Sequence, residues 1–208
     1  MAEPVDLPLR CRCGAVRGIA RGVTPQTINH CFCYCDDCQA FAHFLGRADE
    51  VLDAHGGTEI TQMSQANVAF TAGADRVAAM RLSAKGMIRW YTSCCRTPIG
   101  NTMAITAMPF VGMIKAFIDA PATALGPIRG RGFAKSAKGG RAAVPKDGLP
   151  EVVMVARVLA KVLRWRLRGD HRRSPLFDAA TGQPRVVPRV LEAAEREDLR
   201  RRCAAWHS

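Results

Sequence analysis

The chain has 208 residues, 48% of them hydrophobic and 6% aromatic, with a formal net charge of +12. That is enough for one sizeable domain, or a domain with an extension, built around a real core. The charge is lopsided: residues 1–125 carry 11 Lys/Arg against 10 Asp/Glu, and residues 126–208 carry 19 against 8, so any surface for anionic partners belongs to the C-terminal part.

Residues 1–9 hold no apolar run and carry Glu3 and Asp6, which argues against a secretory signal. Loosely alternating Ala15 to Arg21 and strand-forming Thr27 to Cys33 predict short strands. Residues 37–45 predict a short helix that starts at a cysteine knuckle. Glu59 to Met63, Val68 to Thr71 and Val77 to Leu82 read as further strands, and the turn 83–86 joins the last to a hairpin partner, Met87 to Thr92. Pro98 to Met113 is apolar but interrupted by Asn101 and Pro109, so it reads as buried strand and loop rather than a membrane span, which needs roughly 20 apolar residues. Glycines and basic residues from Gly126 to Gly148 predict a loop or linker.

An amphipathic helix is predicted from Glu151 to Arg168 and ended by Gly169. Its docking face is expected to be Val152, Val155, Leu159, Val162 and Leu163, with Arg157, Lys161, Arg164 and Arg168 as a basic stripe and Trp165 beside it. A second, polar helix is predicted from Pro188 to Ala205.

Seven of the nine cysteines fall into three groups: Cys11 and Cys13 before Gly14, then Cys33, Cys35 and Cys38, then the adjacent Cys94 and Cys95. Without a signal, a reducing cytoplasmic compartment is expected, where clustered thiols more often bind metal than form disulfides. Zn²⁺ takes four protein ligands in a structural site and usually three in a catalytic one. The Cys33-x-Cys35-x-x-Cys38 knuckle suits the three-ligand kind, since no His follows to close it. Cys11 and Cys13 need partners from elsewhere, and Cys94 and Cys95 are the paired candidates. The competing readings are buried free cysteines, or one structural zinc with the remaining thiols as bystanders. Cys31 reads as core and Cys203 as a bystander; His30 and His43 read as structural, and Asp36 and Asp37 as turn formers that could orient a metal-bound water.

The strings Cys11-Arg12-Cys13-Gly14, Cys33-Tyr34-Cys35-Asp36-Asp37-Cys38 and Cys95-Arg96-Thr97-Pro98 resemble the glutathione-dependent formaldehyde-activating family, which includes centromere protein V. More closely, the longer strings CRCGAVRG from Cys11, CDDCQAFAHFLG from Cys35 and RWYTSCCRTPIGNT from Arg89 resemble a bacterial branch of that superfamily, a domain of unknown function. The resemblance spans roughly residues 8–120. It implies a mainly β, Mss4-like fold of small curved sheets with zinc knuckles, here followed by an α-helical extension. It implies two Zn²⁺ ions: a structural one on Cys11, Cys13 and the late cysteines, and a catalytic one on Cys33, Cys35 and Cys38. The family's activity is formation or cleavage of S-(hydroxymethyl)glutathione. One departure stands out. The family's late motif is CxxC followed by Gly-Thr-Pro, which puts Thr92 where the first cysteine belongs, leaves Cys94 as its nearby replacement, and sets Arg96 in place of the glycine.

The expected organisation is therefore a zinc-binding domain at 8–125, a linker at 126–150 and a basic helical extension at 151–208 packed on the domain. The expected function is a zinc-dependent carbon–sulfur lyase-like enzyme acting on a thiol–aldehyde adduct. Three thiolates weaken zinc as a Lewis acid and favour thiol chemistry over water activation. The alternative is a zinc-stabilised binding module whose basic helix meets nucleic acid or anionic membrane. Arg129, Arg131 and Lys135 are a further possible attraction for a carboxylate-bearing thiol.

Overall fold

A computed structural model describes residues 3–206. Among the described residues the fold is mainly β, with eleven strands in two sheets and the longer helices in the C-terminal part. Strands β1 (Val5–Arg10), β2 (Arg17–Val23) and β5 (Val68–Ala72) form a three-stranded antiparallel sheet in the order β1-β2-β5. The second sheet contains β3 (Asn29–Cys33), β4 (Thr58–Ser64), β6 (Val77–Arg81), β7 (Ile88–Thr92), β8 (Pro98–Thr102), β9 (Phe110–Ile114), β10 (Gly130–Gly132) and β11 (Arg189–Val190). Its order is β10-β3-β4-β9-β8-β7-β6-β11. Helix α1 (Asp36–Phe44) begins three residues after β3 ends, and α2 (Ala48–Val51) follows it.

The short strands predicted between residues 15 and 92 all occur, with boundaries moved by one or two residues. β1 adds one the sequence reading passed over: Leu7 and Leu9 point inward while their neighbours face water. The main core lies between the sheets, with Leu7, Leu9 and Val16 facing Ile88, Trp90, Val111 and Met113. Trp90 is fully buried, donates to Thr102 Oγ1 at 2.9 Å and meets the Phe177 ring edge-on. Truncating such a side chain typically costs about 3–5 kcal/mol. On the other face of the large sheet, Phe41 and Leu45 of α1 pack with Met80, Ile114, Leu191 and Leu199. Gly100 lets β8 and β9 close up, because a Cβ there would stand 2.7 Å from the Gly112 carbonyl oxygen.

The C-terminal half differs from the sequence reading in three ways. First, within 126–148, β10 pairs in parallel with β3, Gly130 against Cys31 and Gly132 against Cys33. Arg131 holds it there, bridging Asp147 and the Tyr34 hydroxyl and lying over the Phe32 ring. Second, the polar helix starts later, as α4 (Ala193–Ala205), because residues 189–190 pair with the β6 edge and Glu192 closes a capping box with Glu195. Third, α3 (Glu151–Leu167) docks by a different face. Met154, Val162 and Trp165 are buried, while Val152, Val155, Leu159 and Leu163 of the expected docking face are exposed. Arg157 and Lys161 of the basic stripe turn toward the body instead, donating to Asn29 Oδ1 and to the Gln26 carbonyl. Their long stems cover apolar surface while their heads find acceptors. Among the described residues no helix is long and apolar enough to cross a membrane.

Asp170 ties the end of α3 to β4. It is buried and accepts from Ser64 Oγ at 2.8 Å, Arg168 at 3.0 Å and Arg173 at 2.6 Å. Burial works against its charge, but these donors outweigh it and hold its carboxyl below the ordinary value. A lowered folded pKa gives stability that is present above the unfolded value near 4 and is lost as pH falls through the folded value. Asp170→Asn is expected to cost about 1–3 kcal/mol at pH 7 by urea denaturation. The gap from wild type should shrink as pH drops below about 4; a gap independent of pH would refute the assignment.

Candidate metal centres

The first cluster joins the two sheets. Cys11 and Cys13 lie on the turn between β1 and β2, and Cys94 and Cys95 on the turn between β7 and β8. Gly14 takes φ +77, and its N–H donates to the Cys11 carbonyl at 2.9 Å, which tightens the knuckle. Cys11 Sγ is 3.5 Å from Cys13 and 3.9 Å from Cys94, Cys13 is 3.4 Å from Cys94, and Cys94 is 3.9 Å from Cys95. All four sulfurs lie within 4.8 Å of one another. A tetrahedral ion with metal–sulfur bonds of about 2.3 Å sets its sulfurs about 3.8 Å apart, so this cluster could hold a metal ion. The Val16 N–H donates to Cys11 Sγ at 3.2 Å and fixes the direction of that sulfur.

The structure brings Cys94 into the cluster and gives Thr92 a different task. Thr92 Oγ1 lies 3.4 Å from Cys95 Sγ, and Thr97 Oγ1 lies 3.2 Å from it. Burial opposes ionisation of Cys95, yet these two hydroxyls overcome it and bring the thiol down to about 5. Arg96 occupies the left-handed region at φ +55, a conformation that favours glycine. Its side chain offsets the strain: the guanidinium donates to the Leu45 and Phe44 carbonyls at the end of α1 and lies 5.2 Å from the Phe44 ring centroid. The knuckle is thereby fastened to the C-terminus of α1.

The second cluster sits at the other end of the same helix. Cys33 closes β3, Cys35 is the N-cap of α1 with extended backbone, and Cys38 lies in its first turn. Cys33 Sγ is 3.3 Å from Cys35 and 3.6 Å from Cys38, and all three sulfurs fall within 4.8 Å of one another. A helix N-terminus stabilises thiolate. Cys38 is the most acidic of the three: hydrogen bonds from the Cys33 and Cys35 thiols hold it well below the ordinary value, aided by Arg89. Gln39 locks the knuckle by donating to the Tyr34 and Ser136 carbonyls at 2.9 and 3.0 Å.

Arg89 is the residue that sequence reasoning missed. It stands on β7 between Ile88 and Trp90, and its side chain is 2% exposed. Its guanidinium donates to Asn101 Oδ1 at 3.1 Å, to Asp37 at 3.2 Å and to Cys38 Sγ at 3.8 Å, and lies near the Phe41 ring. Strand register continues the polar row across the sheet, from Arg89 to Asn101, Gly112 and Gln62. This row floors a cavity of about 470 Å³, with the three cysteines on its wall and Phe133 and Ser136 on its rim. The available signal was a lone charge within an apolar strand, Ile88 to Tyr91, where a solvent-facing reading is the usual one.

The remaining candidates lie outside both clusters. Cys31 is buried beside Ile60 and Met154, and Cys203 is half-buried on α4. His30 is held between the Gly126 carbonyl and Glu59, each at 2.8 Å. His43 is buried against the Trp206 ring. Asp37 is engaged by Arg89 and both Asp36 and Asp37 line the cavity, whereas Arg129, Arg131 and Lys135 do not.

Fold and site together define a mainly β protein with two cysteine clusters, each able to hold a metal ion. The family of unknown function DUF6151 matches residues 3–187, and the chain belongs to that family. No curated protein matches it.

Two outcomes are expected. Metal analysis of the purified chain should give two ions, falling to one in Cys35→Ser, with the four-cysteine ion retained. Arg89→Met should lower affinity at the three-cysteine site by about 10–100-fold in chelator competition, since residues behind the ligands commonly carry that much. Equal loss at both sites would instead indicate a general folding defect.

Proposed function

We propose that this protein is a zinc-dependent carbon–sulfur lyase-like enzyme acting on a thiol–aldehyde adduct such as S-(hydroxymethyl)glutathione. The observation that carries the reading is the set of three convergent sulfurs opening on a polar-floored cavity of about 470 Å³. The proposal includes the Mss4-like fold and kinship to the formaldehyde-activating superfamily, supported by two sheets joined at cysteine knuckles. It assigns Cys11, Cys13, Cys94 and Cys95 to a structural zinc and Cys33, Cys35 and Cys38 to a catalytic one.

A zinc ion on the three thiolates would supply one open position able to keep a substrate thiol ionised at neutral pH. The chain's own groups do the rest. Cleaving the adduct breaks its carbon–sulfur bond, turns its C–OH into a carbonyl and releases one proton. The Asp37 carboxylate, at the cavity wall, is placed to take that proton. Asn101 spends its oxygen on Arg89, which leaves its NH₂ to orient the adduct's oxygen. Arg89 offsets the negative charge that builds on sulfur as the bond breaks. In the reverse direction the same proton returns from Asp37 to the oxygen.

Exchange spectroscopy by NMR tests this, using the zinc-loaded chain with glutathione and a panel of aldehydes. Adduct exchange should be accelerated by wild type and by Cys203→Ala, and the acceleration lost in Cys38→Ser. Two bound zinc ions with no acceleration for any thiol–aldehyde pair would overturn the reading.

A further inference from the structure

Helix α3 presents to solvent a face that should not be there if its only task were to pack on the domain. Its inner side is used: Met154, Val162 and Trp165 are buried against the body. Its outer side is as apolar as the inner one. Val152 is 75% exposed, Leu159 56%, Leu163 60% and Leu167 80%. Together with Ala156 these residues fall at spacings of three and four, so they form a single stripe along the helix. At 17 residues the helix is about 25 Å long.

The borders of the stripe are cationic. Arg164 flanks it on one side and Arg166 on the other, with Arg157 and Lys161 further round toward the body. Among the described residues none of these four cations pairs with a carboxylate; Arg166 and Lys161 reach only backbone carbonyls, of Ala107 and Gln26. The one acid on the helix, Glu151, is at its start and already accepts from the Phe133 N–H and meets Arg141. The surplus of positive charge is felt within the protein. Burial, then repulsion from Arg157, Arg129 and Arg164, pushes the Lys161 amine down to about 8.

We infer that the outer face of α3 is a docking surface for an anionic lipid bilayer, on which the helix lies in the plane of the interface. An apolar stripe between arginines is the arrangement that such an interface rewards: Leu and Val enter the acyl boundary while Arg164 and Arg166 stay among negatively charged headgroups. Two other occupants fit less well. A second copy of this chain would bring the same cations against each other with no acid to answer them. A nucleic acid would satisfy the arginines and leave the Leu/Val stripe in water. The inference does not depend on the chemistry proposed for the three-cysteine cavity.

The test is sedimentation of the full, metal-loaded chain with vesicles of phosphatidylcholine, with and without phosphatidylglycerol. Binding should require phosphatidylglycerol and weaken with added salt. Leu159→Glu with Leu163→Glu should lower it by about tenfold or more, and Arg164→Ala with Arg166→Ala should lower it on anionic vesicles. These positions are exposed, so both pairs of substitutions should keep the wild-type metal stoichiometry and melting curve. A Leu163→Trp variant should show a blue-shifted emission on anionic vesicles, reporting entry into the apolar layer. No binding to either vesicle would overturn the inference. So would a dimer, seen by light scattering, that Leu159→Glu dissociates. So would duplex DNA binding that ignores the Leu→Glu changes while vesicle binding is absent.

Discussion

The β7–β8 hairpin carries the geometry of both cysteine clusters. Thr92, at the end of β7, sets its hydroxyl against Cys95, and the turn that follows brings Cys94 and Cys95 onto the Cys11–Cys13 knuckle of the other sheet. Three residues earlier on the same strand, Arg89 reaches the opposite face and touches Cys38. Arg96, just past the turn, grips the C-terminus of α1, whose N-terminus holds Cys35 and Cys38. A displacement of this hairpin is therefore felt at the four-cysteine staple directly. It is felt at the three-cysteine site by two routes, one through the strand and one through the helix. A metal ion held by the four sulfurs would tie together segments more than 80 residues apart in sequence and add its binding energy to folding.

The buried guanidinium makes sense as charge balance. An isolated arginine inside a core is costly. Arg89 is repaid by an amide, a carboxylate and a thiol sulfur, with an aromatic ring beside it. Its charge is shared between the Asp37 carboxylate and the Cys38 sulfur, so the cavity wall carries a paired cation rather than an isolated one.

Much of this was legible in the sequence. Tight cysteine spacing fixes local geometry on its own: a CxCxxC helix start leaves few places for the sulfurs, so the three-cysteine cluster followed from counting, whereas Cys94's place in the other cluster, against a family pattern that points to Thr92, came from the structure. Runs of strand-forming residues bounded by turn signals located the central strands, which are buried on both faces and show no clean alternation, β8 throughout its length. The failures have physical reasons too. β10 is built on Gly130 and Gly132, which have no side chain to show a pattern, and it is held by Arg131 from a distant ion pair and ring contact. In α3 the helical period was right but its docked face was not: two apolar faces compete in the sequence, and Arg157 and Lys161 stand on the buried flank through their stems. Nothing local in the sequence marks the tasks of Arg89 and Arg96, because their partners lie about 50 residues away.

The helix with the unused face is also structurally joined to the rim of the cavity. Phe133 adopts φ +58, a left-handed conformation that a bulky side chain takes only when its surroundings impose it. On one side β10 fixes the preceding Gly132 against Cys33. On the other, the Phe133 N–H is held by Glu151, the first residue of α3. The ring itself lines the cavity and is 57% exposed. The position of this aromatic rim is thus set jointly by the strand that carries the catalytic candidate Cys33 and by the start of α3. The two proposals stand on separate observations, but the covalent path between them is short: 18 residues from Phe133 to Glu151, closed by one hydrogen bond.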